Sequence, residues 1–324
     1  MATTTCPRCF NEIDAGADVK FCPKCGLPDV VKAANDVEPV LLTVENRSYR
    51  VTDRFALGSL ASLYHCEILH HSPQISAVFK IARDARSNLY LANEARVLRQ
   101  LATAVDSASF IPFIPEVVDS FTQGGSDHEP ARQANVLAYH PDIKSPDLLY
   151  TLEEVRAAYP GGLDQKDVAW IWRRLLNVLS FCHRTGVAHC AVLPGHVLIE
   201  PEDHKLVLID WCFATTRDRW SVAPSSAGTG MLARWFMRDG IPRPAIPVLD
   251  ISLAAQCMIY LMKGDAEHLP PEVDPAIRRH FVRCVDLPDH SHSRAEDLLG
   301  QFDRLIEALW GPRQFRPLTL PKRR

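Results

Sequence analysis

The sequence predicts an α+β chain with a small cysteine-bearing module at its N-terminus. Three observations predict it. Four of the ten cysteines fall within the first 25 residues, as two C-x2-C pairs. Strand-like apolar runs dominate from Arg47 to Ala82. Apolar positions at 3/4 spacing then mark long helices through the C-terminal half.

At 324 residues, 47% hydrophobic and 23% charged, the chain can bury a substantial core in one large or two ordinary domains. A net charge of −3 gives no basic field to attract nucleic acid or an anionic membrane. The opening M-A-T-T-T-C-P has neither a basic nor an apolar signal region, so a cytoplasmic location is expected. The longest apolar stretch, Ile246–Met262, is interrupted by Pro247, Asp250 and Gln256 and is too short to span a bilayer.

Cys6-Pro7-Arg8-Cys9 and Cys22-Pro23-Lys24-Cys25 are separated by twelve residues. Two thiolates two residues apart reach one tetrahedral Zn²⁺ from a single tight turn, and a second such turn completes the site. The pattern resembles a zinc ribbon over residues 1–28, with Cys6, Cys9, Cys22 and Cys25 as ligands of a structural zinc. Two disulfides or a redox C-x-x-C are the alternatives, but nothing marks secretion or a thioredoxin-like unit. Residues 29–46 read as a linker, with Pro39 inside it.

From Arg47 the pattern is strand-like, with Gly58 between the first two runs and A-V-F-K ending the third at Lys80. A lone lysine ending a strand is ordinarily a solvated charge. A helix follows, with Ser87 as its N-cap and Leu91, Ala95, Leu98 and Leu101 on its apolar stripe. Glu94 lies beside that stripe, where it either meets the core strand or pairs at the surface with Arg99. Asn135–Tyr139 reads as an apolar strand after a Gly- and charge-rich turn at Gln123–Arg132.

Asp167–His183 reads as a helix with Trp170, Ile171, Leu175, Val178, Leu179 and Cys182 on its apolar side. Two short runs, Val197–Ile199 and Leu206–Ile209, flank the polar turn Glu200–Lys205. A hairpin of this kind brings His189–His196 and Asp210–Trp211–Cys212 to one edge. Val248–Met262 reads as a helix beginning near Asp250, and a last helix carries Ala295, Leu298, Leu299, Phe302, Leu305, Ile306 and Leu309 toward the core. The Pro- and Arg-rich tail from Pro312 is expected to fray.

Taken in order, Lys80, Glu94, His189, Asp210 and Asp250 resemble the motif series of the protein kinase superfamily over roughly residues 47–310. The resemblance implies a two-lobed α+β fold, with a small lobe at 47–140, a large lobe at 141–312 and a tail at 313–324. It further implies ATP and Mg²⁺, with Lys80 pairing the phosphates, Glu94 positioning Lys80 and Asp210 binding the metal. Gly58 stands in the glycine loop, while Leu60 and Leu63 take the places of two further glycines. Ala191 stands at the catalytic Asp and His196 at the second metal-binding Asn. Trp211 and Cys212 replace the usual Phe and Gly, and P-R-P-A-I-P stands where A-P-E is usual.

An alanine methyl neither orients a hydroxyl nor holds a metal. The resemblance therefore implies a pseudokinase that binds ATP and serves a protein partner as a regulatory or scaffolding module, with no nucleic-acid or membrane role. The alternative is an active phosphotransferase with non-standard residues, in which His196 supplies an imidazole. Cys190 and Cys212, on neighbouring loops in such a fold, are either a redox or metal pair or inert.

Overall fold

The computed structural model describes residues 3–5, 12–14, 39–70, 75–125, 130–143, 148–219, 234–264 and 268–320. They form two compact units, Met1–Ala95 with Val117–Tyr139, and Arg96–Glu116 with His140–Arg324. At the N-terminus β1 (Thr3–Thr5) pairs antiparallel with β2 (Glu12–Asp14). Cys6 and Cys9 lie in sequence between these strands, and all four zinc-ligand candidates lie outside the described residues.

The first unit is a six-stranded sheet. Its strands are β3 (Val40–Val44), β4 (Arg47–Leu57), β5 (Ala61–Ile68), β6 (Ile75–Ala82), β7 (Glu116–Gln123) and β8 (Arg132–Ala138), in the order β3-β4-β5-β6-β8-β7. The structure differs from the linker expected at 29–46, because V-L-L-T-V alternates inward and outward and pairs along β4. Alternation places Tyr49, Val51, Tyr64, Cys66, Phe79, Ile81, Ala134 and Val136 in one core cluster. Valines of β3 and Phe121 of β7, from opposite ends of the strand order, pack onto this same cluster. The sheet is therefore curled. Asp119 of β7 clasps it, accepting hydrogen bonds from Tyr49 and from Arg47 (3.0 Å), both on β4.

Helix α1 (Asn88–Ala102) covers the other face of the sheet, with Leu91, Ala95, Leu98 and Leu101 buried. Asp84 caps the 3-10 turn Ala85–Ser87 that leads into it, accepting from the Ser87 N–H (2.9 Å) and hydroxyl (3.0 Å). Asn88 ties the helix start to β8, donating to the Ala131 carbonyl and accepting from the Gln133 N–H.

The second unit is mainly helical. Thr151 and Glu154 form a reciprocal capping box at the start of α2 (Leu152–Ala158). Asp164 caps α3 (Gln165–Arg184), the buried central helix, and every residue expected on its apolar side is buried. Around it lie α4 (Pro247–Leu261), α5 (Pro275–Val285) and α6 (Ala295–Trp310). On α6 the expected stripe narrows: Ala295, Leu298, Phe302 and Ile306 are buried, whereas Leu309 is exposed. The last turn of the helix runs beyond the surface that the stripe covers. β9 (Tyr150–Thr151), β11 (Val197–Glu200) and β12 (Lys205–Leu208) form a small sheet, and β10 (Val187–Ala188) pairs with β13 (Thr215–Thr216).

The described part of the tail, expected to fray, is docked. Arg316 bonds Asp167 through its guanidinium and His204 through its carbonyl (2.7 Å), while Tyr159 donates to the Thr319 carbonyl (2.6 Å). Leu318 is buried, and Phe315 lies against the His204 ring, which itself stacks on Trp170. Composition suggested a loose end; specific partners on α2, α3 and the β11–β12 turn overrule it.

His280 of α5 makes the fold sensitive to acid. Trp172 Nε1–H donates to its Nε2 (3.1 Å), and burial pushes its pKa from 6.5 down to about 4. A folded pKa below the unfolded one means that the unfolded chain binds more protons between those values. Stability is therefore intact above pH 6.5 and lost as pH falls toward 4. His189, similarly buried with a pKa of about 4, acts in the same window. Urea unfolding is expected to show a loss of about 2 kcal/mol per such histidine between pH 7 and pH 5. His280→Gln should remove its share and leave that of His189.

Candidate kinase-like site

In the first unit the register of the sheet sets the geometry. Lys80 of β6 lies opposite Asn135 of β8, on the face that meets α1. Lys80 Nζ donates to Glu94 Oε1 at 2.8 Å, and both side chains are almost wholly buried. Asn135 donates to Glu94 Oε2 (3.1 Å) and to the Leu91 carbonyl (2.9 Å), and it accepts from the Ser120 hydroxyl (2.8 Å). Both carboxylate oxygens of Glu94 are thus engaged, and α1 is fastened to β8 at Asn88, Leu91 and Glu94. Arg99 has no part in it.

Gly58 sits in a tight turn between β4 and β5. Its N–H is committed to the Ala61 carbonyl (2.9 Å) and its carbonyl to Arg83 (3.3 Å). A side chain at Gly58 would meet nothing closer than 3.5 Å, so this position makes no steric demand for glycine. The turn is not a cradle that only glycine permits.

In the second unit Asp250, at the start of α4 and fully buried, organises the loop before β11. It accepts from the Cys190 N–H (2.6 Å), the His189 N–H (2.8 Å) and His183 Nε2 (2.9 Å). Cys190 is held at φ +63°, a left-handed conformation uncommon outside glycine. His189 Nε2 donates to the Ile209 carbonyl (2.9 Å), while its Nδ1 accepts from the Ala191 N–H (3.2 Å). This fixes one neutral tautomer, in keeping with the depressed pKa that burial imposes. Trp211 packs edge-on against that ring.

Ala191 is buried and presents only a methyl. Its carbonyl accepts from His196 Nδ1 (2.8 Å), and His196 Nε2 lies 3.1 Å from Asp210 Oδ2. The second unit therefore brings His189, Ala191, His196 and Asp210 together around one loop. Cys190 and Cys212 are both buried, and neither forms a disulfide. The Cys190 thiol lies 3.3 Å from the Thr215 hydroxyl, and burial pushes its pKa well up, which leaves it inert rather than redox-active.

Three participants escape the sequence patterns. Asn135 is a polar residue in an apolar strand, and its one signal is that it faces α1 like Lys80. His183 closes a helix and reads as a C-terminal charge. Arg243, in P-R-P-A-I-P, is buried and donates to Ser252 (2.5 Å) and Asp289 (3.0 Å), anchoring the segment that leads into α4.

These residues answer differently to the ATP and Mg²⁺ that the sequence resemblance implies. A buried, carboxylate-positioned Lys80 fits a phosphate partner. The donor set for magnesium does not fit. Mg²⁺ prefers oxygen ligands in octahedral geometry, whereas here an imidazole stands where the resemblance calls for a carboxamide, with its Nε2 3.1 Å from the Asp210 carboxylate.

No protein-family profile matches the chain. It is 24% identical over 251 residues to serine/threonine-protein kinase F of Synechocystis sp., covering 76% of this chain and 47% of that protein. It is 37% identical over 78 residues to casein kinase II subunit alpha' of Saccharomyces cerevisiae, covering 22% of each. The chain thus spans at most about half the length of these curated relatives. Among solved structures it resembles the BubR1 kinase domain, with a TM-score of 0.61, 14% identity and 84% of each chain covered. The chain has a protein-kinase-like fold.

Proposed function

We propose that the chain is a pseudokinase: a kinase-like module that binds ATP and acts on a protein partner by conformation or by presenting a surface. The observation that carries this reading is Ala191. Its methyl stands where the resemblance calls for a carboxylate, and its carbonyl occupies the neighbouring imidazole. General-base assistance is worth typically about 10²–10⁴-fold, and both nitrogens of His196, the nearest substitute, face other partners. The kinase relatives imply use of ATP with Mg²⁺; the Lys80–Glu94 pair is the part of that equipment the chain keeps. The four N-terminal cysteines hold a structural zinc under the same reading. Among the described residues no helix is long and apolar enough to cross a membrane.

The test is a thermal-shift titration of zinc-replete protein with ATP, alongside Lys80→Ala, followed by a phosphotransfer assay. ATP at 100 times its Kd is expected to stabilise by about 2.7 kcal/mol. The shift should vanish in Lys80→Ala, and no phosphate should be transferred. Absence of a shift in the folded wild type would reduce the chain to a nucleotide-free interaction module. Robust transfer would make it an enzyme.

A further inference from the structure

The stretch Phe315–Thr319 belongs to no helix or strand, and its carbonyls are bonded by side chains of the second unit instead. Pro317 fixes its own φ and keeps Arg316 out of the helical region, so the stretch runs extended. The Arg316 carbonyl accepts from His204 Nε2 (2.7 Å), and the Thr319 carbonyl accepts from the Tyr159 hydroxyl (2.6 Å). Three residues is the repeat of a polyproline-type helix, which turns two such carbonyls to one side. Leu318, between them in sequence, is buried. The Arg316 guanidinium lies 3.1 Å from Asp167 and 3.6 Å from Asp164, and Phe315 meets the His204 ring that stacks on Trp170. The receiving surface is thus an aromatic groove with two hydrogen-bond donors, room for an aliphatic side chain and a pair of carboxylates.

What fills the groove holds on loosely. Phe315 is 62% exposed, and the Arg316 and Asp164 side chains are 43% and 53% exposed, where an ion pair contributes little. Every contact is one that an extended peptide from another protein can make. We propose that this groove is a docking site for a partner protein's proline-rich peptide, one carrying Arg-Pro followed by an aliphatic residue, and that Phe315–Thr319 is its built-in competitor. It rests on the reading above only for there being a protein partner, and it holds whether or not nucleotide binds. The carboxylates select a basic peptide. Donors that meet carbonyls suit a segment with proline, which keeps its carbonyl while lacking an N–H. A tethered competitor acts at an effective concentration of the order of millimolar, so a partner must bind better than the chain's own segment to displace it.

The test is fluorescence anisotropy of a labelled peptide of residues 313–320 with the full chain. Arg316→Glu with Leu318→Asp opens the groove and leaves the residues that line it in place. The opened variant should bind at least about tenfold more tightly than wild type, which should itself bind with a Kd below about 1 mM. In the opened variant Asp167→Ala should weaken binding about tenfold and Tyr159→Phe about fivefold. A peptide with glutamate at the position of Arg316 should not bind. Thermal midpoints establish that each variant is folded. Arg316→Ala, whose midpoint should fall by no more than about 3 °C, is the milder opening if the double variant is unfolded. Equal binding by opened and wild-type chains overturns the inference, as does binding indifferent to both Asp167→Ala and Tyr159→Phe. Wild type that binds no peptide, with a midpoint that falls much further in Arg316→Ala, makes the segment a structural part of the fold. A wild-type dimer in sedimentation that dissociates on opening makes a second copy the occupant and likewise overturns the inference.

Discussion

Glu94→Ala is expected to cost about 3–5 kcal/mol of stability, because it breaks a buried ion pair. Lys80 is 5% exposed and Glu94 0%, so water cannot replace the lost carboxylate. The Asn135 amide, which donates to Glu94 Oε2, loses a partner in the same step. The double variant Lys80→Met/Glu94→Leu should recover most of the loss, since a buried ion pair replaced by apolar groups of similar volume is often neutral. Urea unfolding at constant slope measures both. Equal destabilisation of the single and double variants would mean that the cost lies in packing rather than in the broken ion pair.

The second large effect is at Asp250. Its side chain is the acceptor for two buried main-chain amides, at Cys190 and His189, and for the His183 ring. A buried donor left unsatisfied costs about 1–3 kcal/mol, so Asp250→Ala should lose about 2–6 kcal/mol. These bonds help to hold the left-handed Cys190 backbone, which is costly outside glycine. Once released, the loop should relax and carry Ala191 and His196 with it. Amide hydrogen exchange at residues 189–191 should accelerate far more than in α3. Asp250→Asn, which keeps one acceptor oxygen, should fall between wild type and alanine. Protected amides in Asp250→Ala would show that another group carries the loop.

How much of this was legible follows from which interactions are local. The α1 stripe and the central helix carry their periodicity in adjacent turns, so Leu91, Ala95 and the buried side of α3 could be read directly. Lys80 and Glu94 were legible because a strand end and a helix stripe come fourteen residues apart in a motif order. Asn135 was not, since a polar residue within N-V-L-A-Y looks like an interruption until strand register sets it opposite Lys80. His196 read as the loss of a carboxamide, because a sequence registers a missing ligand more readily than a new hydrogen bond. V-L-L-T-V at 40–44 had a strand pattern, but its partner β4 lies on the far side of the presumed domain border. The docked tail depends on Asp167 and His204, which no local pattern connects to Arg316.

That tail also bears on how the protein is made. Tyr159 reaches its hydrogen-bond partner Thr319 across 160 residues of chain, and Asp167 reaches Arg316 across 149. A ribosome adding about 5–20 residues per second needs roughly 10–30 seconds to span such an interval. For roughly 5–20 seconds of it the stacked Trp170 and His204 rings have both been synthesised while Phe315 has not. The sheet of the first unit has no such delay, because its last strand ends at Ala138. The nascent chain therefore emerges with its β-rich part able to close early and its helical part waiting for the segment Phe315–Thr319.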